Sequence, residues 1–277
     1  MNAFSAAIFA LTLFGQISLS ASLTNHHTTK NLYRSSDNRY PYNPYVPLEI
    51  WDTMAPYFLP ESHPSKILLD AMFSSSRVTY SQLSLMQAGF SHIKYRSSHN
   101  AFVIRHSDIP GLYLKVYTDQ QPITDDWARF KRRLDGSDVI RACILRHGYQ
   151  DMFDVPLKWV YPLPLEPSPP NDPLCIRKNF VLIAQDMNLL SFDANRMAYR
   201  SRITKEHLDA LYIILTEAGL KDSIYISNIP FNKEGKICFV DTEHFHKWPI
   251  ALQTLQGWFS PKMGAYWEEL IRNGGPR

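Results

Sequence analysis

Six prolines, at positions 41, 44, 47, 56, 60 and 64, crowd a stretch that also carries Tyr40, Tyr42, Tyr45, Trp51, Tyr57 and Phe58. Proline fixes φ and lacks the N–H that helices and sheet ladders use, so this density predicts an extended strap without regular structure. The interleaved aromatics predict that the strap lies against a body built from the rest of the chain. Proline- and tyrosine-rich segments are also read by protein partners in polyproline form, which makes the strap a candidate partner contact.

Upstream of the strap, residues 1–20 have the pattern of a secretory signal peptide. An apolar run from Ala6 to Phe14 precedes Ser18 and Ser20, which occupy the −3 and −1 positions of a cut before Ala21. No Lys or Arg precedes the run, so only the terminal amine is positive there. The run is too short to span a bilayer, so a secreted or periplasmic protein without a permanent membrane anchor is expected. Residues 21–65 then comprise a polar lead-in and the strap.

The 277 residues are 45% hydrophobic and 13% aromatic, enough for a sizeable core and unlike a disordered chain. A formal charge of +3 argues against a dedicated nucleic-acid binder. Arg129 and Lys131-Arg132-Arg133 form the one basic run, which reads as a solvated helix face. Three cysteines cannot all pair, and Cys143 and Cys238 lie in apolar runs, as small core hydrophobes do.

Element signals follow the strap in a definite order. Helices are expected over 66–73 and 80–88, then strands over 92–95, 101–105 and 112–117 as an antiparallel meander. Two helices are read over 125–134 and 137–147, with strands over 156–163 and 179–185 separated by an exposed Pro-rich loop, 162–173. The clearest amphipathic helix runs from Thr204 to Ala218, capped by Thr204 and ended by Gly219. A polar loop with Asp222 and Asn228 leads into a hairpin, 226–231 against 236–241, and two aromatic helical segments close the chain.

This order, together with three local matches, resembles the protein-kinase and aminoglycoside-phosphotransferase superfamily. Gly111-Leu112-Tyr113-Leu114-Lys115-Val116 resembles the strand whose lysine holds ATP phosphates. Lys221 to Asn228 resembles the catalytic loop, and Ile237-Cys238-Phe239-Val240-Asp241-Thr242-Glu243 resembles the strand that ends in a metal-binding Asp. The resemblance implies an α+β, two-lobed kinase-like fold: an antiparallel small sheet lobe over 66–187 and a reduced helical lobe over 188–277. It implies ATP and Mg²⁺ as cofactors, with Lys115, Asn228 and Asp241 contacting the nucleotide, Asn228, Asp241 and Glu243 holding metal, and Asp222 as catalytic base.

The sequence also departs from that family. Gly219-Leu220-Lys221 precede Asp222 in place of the usual His-Arg, and Asn228 lies one position too far beyond it. Ser98-His99-Asn100 stands where a Gly-rich loop is expected, and no Glu occurs between Lys115 and Glu166 to partner the lysine, leaving Asp135 or Asp138 as substitutes. These departures keep a second expectation open, a pseudokinase-type interaction protein without chemistry. Glu243-His244-Phe245-His246 does not read as a zinc site, because neighbouring strand residues face opposite ways.

Overall fold

Alternation of apolar and polar residues in three short runs produces the first three strands, β1 (Ser91–Lys94), β2 (Phe102–Arg105) and β3 (Leu112–Val116). The computed structural model describes residues 40–94 and 100–277, without side chains at 92–94. The expected signal peptide, most of the lead-in, and Ser98 and His99 lie outside the described residues.

β3 leads into α4 (Asp126–His147), then β4 (Phe153–Asp154), β5 (Lys158–Pro162) and β6 (Phe180–Gln185). Five strands form one sheet in the order β1-β2-β3-β6-β5, antiparallel throughout. The α+β class expected from the sequence is therefore observed. Register places Lys115 between Val103 of β2 and Leu182 of β6. Leu112, Leu114 and Val116 bury the opposite face of β3.

Each sheet face has its own cover. Leu114, Ile104 and Ile183 pack with Leu69 and Phe73 of α2 (Lys66–Ser75) and Leu85 of α3 (Gln82–Gln87). On the other face, Val160 and Leu182 pack with Phe130 and Leu134 of α4 and with Trp51, Met54, Tyr57 and Phe58 of the strap. Each of those strap side chains removes enough apolar surface from water to contribute about 1.5–3 kcal/mol.

The strap is not irregular, as its prolines led one to expect. Leu48–Met54 form α1, and Ala55–Tyr57 a 3₁₀ turn. Pro47 sits at the helix N-cap and Pro56 in the first turn of the 3₁₀ segment, where no N–H is required. The helix fits between prolines rather than across them.

A second correction concerns α4, expected as two helices and observed as one of 22 residues running through Asp135-Gly136. The glycine is there for packing: a Cβ on it would stand 1.8 Å from the Thr242 carbonyl oxygen. The 241–243 segment thus lies flush against the helix backbone.

The remaining elements are α5 (Phe192–Ser201), α6 (Lys205–Ala218), β7 (Ile237–Cys238), a 3₁₀ segment (Leu252–Trp258) and α7 (Pro261–Asn273). Thr204 caps α6 by accepting from the His207 N–H, and Gly219 ends it in the left-handed conformation, as expected. Leu208, Leu211, Ile214 and Leu215 of α6 join Trp267, Phe231 and Phe239 in a third cluster of core residues. The Pro-rich loop is largely exposed, as expected, with Leu165 and Leu174 open to solvent. No helix among the described residues is long and apolar enough to cross a membrane.

Candidate functional site

The loop after α6 and the turn and short strand behind it set the site's frame. Val240, Cys238 and Asn232 donate their N–H groups to the carbonyls of Asn228, Pro230 and Lys236, at 3.0, 2.8 and 2.8 Å. The expected turn at 232–235 is present, closed by Gly235 with φ of +92°, but the expected first arm is not a strand: 226–229 form turns, and only Phe231 bridges Ile237 in antiparallel fashion. The other edge of β7 pairs in parallel with β4, Phe153 opposite Ile237 and Asp154 opposite Cys238. Asn228 is thereby held beside Val240, one residue before Asp241.

A second ladder fixes the loop's start. His246 and Lys247 donate to the carbonyls of Ala218 and Gly219 at 2.9 Å each, and Lys221 donates to that of His244 at 3.2 Å. The Asp222 carboxylate meets His244 Nδ1 as a result. Asn228 Nδ2 donates to the Asp222 carbonyl at 2.9 Å, closing the loop and leaving the amide oxygen of Asn228 for another partner.

Three elements converge on Asp241. Lys115 Nζ of β3 and Arg133 Nε of α4 each stand 3.7 Å from its Oδ1. Lys115 holds the Asp241 carboxyl well below the ordinary carboxylate range, with Arg133 and Lys158 adding to it against the opposing effect of burial. One Asp241 oxygen reaches solvent, since the side chain is 36% exposed. The other, Oδ1, is sealed and makes no hydrogen bond, and the same holds for Arg133 Nε.

Thr242 is the hinge pin of this segment. Its hydroxyl donates to the Arg133 carbonyl and accepts from Lys158 Nζ of β5 at 2.7 Å. Lys158 also reaches the Val240 carbonyl at 3.4 Å, and among the described residues it has no carboxylate within ion-pair distance. Burial, reinforced by the charge of Lys115, pushes its pKa well below that of a free lysine.

Glu243 points back onto α4, to Arg133 Nη2 and, at 3.2 Å, to Arg132. The basic run expected to be a solvated face is therefore partly buried: Arg133 is 9% exposed and belongs to the site. Asp135 is occupied by Lys131 and by the Tyr57 hydroxyl, and Asp138 ion-pairs with Arg141 at 3.3 Å.

Of the residues singled out from sequence, Lys115 and Asp241 are in direct apposition, and Asn228 is tied into the strand leading to Asp241. Asp222 lies on the same loop but is engaged by His244, and Glu243 is engaged by two arginines. Arg133, Lys158, Thr242 and His244 were not foreseen as part of the site. Gly136 inside a helical pattern was the one available signal, because an isolated helix glycine marks close backbone approach.

The donor set can be tested against a divalent cation on these contacts. Asp241 Oδ1, sealed and unbonded, and the amide oxygen of Asn228 are hard ligands suited to Mg²⁺. Glu243 fits that role less well, since both its oxygens already carry guanidinium partners. Lys115, Arg132 and Arg133 outnumber the carboxylates of Asp241 and Glu243, which leaves positive charge for an anion such as phosphate. No protein-family model matches the chain, and no curated protein matches it.

Proposed function

We propose that this protein is an exported, kinase-like protein that binds a nucleoside triphosphate together with Mg²⁺ at Lys115, Asn228 and Asp241. The carrying observation is the apposition of Lys115 and Asp241 at 3.7 Å with Asp241 Oδ1 buried and unbonded. The element order supports the same reading: a strand meander, a long helix, two strands, a helix, a polar loop, and a turn and short strand leading to Asp241. In this reading Lys115 and Lys158 orient phosphates, and Asn228 and Asp241 hold the metal. The ion, when bound, would neutralise phosphate charge. Arg133 keeps Asp241 ionised and aligned. For transfer to occur, the Asp222–His244 pair would accept the substrate hydroxyl proton.

A second reading is favoured by specific contacts. Glu243 is closed by Arg132 and Arg133, and Asp222 is closed by His244. These favour a pseudokinase-type protein that binds without transfer, with exposed Tyr42 and Tyr45 of the strap as partner contacts.

Thermal-shift titration with ATP and MgCl₂ separates the outcomes. Binding at a hundredfold excess over Kd stabilises by about 2.7 kcal/mol, and Asp241→Asn or Lys115→Met should erase the shift. A shift accompanied by ADP release supports transfer; a shift alone supports the second reading. No shift in the wild type overturns nucleotide binding altogether. Export is checked by sequencing the secreted protein, whose first residue is expected to be Ala21.

A further inference from the structure

Away from Asp241, a second group of ligand-type side chains gathers where the C-terminal ends of α4 and α6 meet. Cys143 and His147 are one helical turn apart on α4 and share a face. Glu217 comes from the last turn of α6. One donor atom from each of the three lies within 4.8 Å of the others. We propose that Cys143, His147 and Glu217 form a zinc site, with water as the fourth ligand.

The donor chemistry favours this ion: thiolate, imidazole and carboxylate together suit Zn²⁺, and three protein ligands with an open position are a known zinc arrangement. In a tetrahedral zinc shell the donors stand about 3.3–3.8 Å apart, so closure needs movements of about 1 Å. His147 and Glu217 are exposed and free to make them, while Cys143 is fixed in the core beneath.

Electrostatics points the same way. Both helices present their C-termini here, and the negative ends of two helix dipoles favour a cation. His147 Nε2 and Glu217 Oε2 already face each other in a hydrogen bond of 2.7 Å, in the position the ion would take. Arg146 holds the other oxygen, Oε1, and would serve as the outer partner that orients the carboxylate. Binding would expel the Cys143 thiol proton to solvent. The ion would tie α4, which carries Arg133, to α6, which leads into the Asp222 loop.

Cobalt(II) titration of the chelator-treated full chain tests this. The expected result is one equivalent bound, with thiolate-to-cobalt charge-transfer absorption that zinc abolishes. Cys143→Ser should remove that absorption, whereas Cys175→Ser and Cys238→Ser should retain it. His147→Gln and Glu217→Gln, both at exposed positions, should each weaken binding at least about tenfold, the loss that even outer partners of a metal site cause. Absence of the charge-transfer band, its persistence in Cys143→Ser, or unchanged affinity in both surface variants would each overturn the assignment.

Discussion

Arg77 grips Asp119 with two nitrogens at 2.8 Å each, whereas Arg133 and Lys115 stand 3.7 Å from Asp241. In the first cluster Asp119 also accepts from the Lys178 N–H at 2.7 Å, and Arg77 donates to the Lys178 carbonyl at 2.6 Å. Among the described residues, no buried side-chain nitrogen or oxygen of Arg77, Asp119 or Lys178 is left without a hydrogen bond. In the second cluster one carboxylate oxygen and one guanidinium nitrogen are sealed from water yet unbonded. A saturated network fixes structure, while an unsaturated one retains the capacity to bind. The difference separates a strut from a site, though both are made of arginine, lysine and aspartate.

Asp126 sharpens the contrast. Its Oδ2 is also buried and unbonded, but one cation, Lys178, acts on it where three act on Asp241. Burial pushes the Asp126 carboxyl up to about 6, with Lys178 opposing the rise. Burial thus outweighs a single cation at Asp126 and is outweighed by several at Asp241, which stays ionised.

The largest effect is expected at the strut. Asp119→Asn leaves Arg77 buried against a neutral amide and should cost about 3–5 kcal/mol, read by urea unfolding. Next comes a pH effect. The native state holds the Asp126 proton more tightly than the unfolded chain does, so stability should rise as pH falls from about 6 toward the ordinary carboxylate range. The gain is about 3 kcal/mol at most, and Asp126→Asn should flatten that part of the pH profile.

Gly136→Ala drives a methyl group into the Thr242 carbonyl, so helix and strand must separate at a cost of about 1–3 kcal/mol. Because Asp241 adjoins Thr242, nucleotide affinity should fall with it. Asp241→Asn should cost less than Asp119→Asn, because its ion pairs are longer, at 3.7 Å, and its side chain is 36% exposed. A loss at Asp241 as large as that at Asp119 would show that the Asp241 cluster is a second strut.

The sequence made the sheet, α6 and its caps, and the turn at 232–235 legible, because each is written in local periodicity and turn chemistry; the arm at 226–231, read as a strand, is mostly turns. Lys115 and Asp241 were legible for the same reason: each is a charge on an apolar strand. The continuity of α4 was hidden because Gly136 reads locally as a break, and its reason, the Thr242 carbonyl, lies more than a hundred residues away. Arg133 was masked by its neighbours, since a run of three basic residues looks solvated until a helix turns one of them inward. Lys158 and His244 acquire meaning only from strand pairing and from the ladder between 218–221 and 244–247. The helix in the strap was missed by counting prolines without regard to where in a turn each one falls.

Isothermal titration of the wild-type chain with ATP in Mg²⁺ is the most direct examination of the Asp241 site. Saturable one-to-one heat, lost on adding EDTA and lost in Asp241→Asn while that variant remains folded, is the expected result. No heat in the wild type, or equal heat in Asp241→Asn, would contradict it.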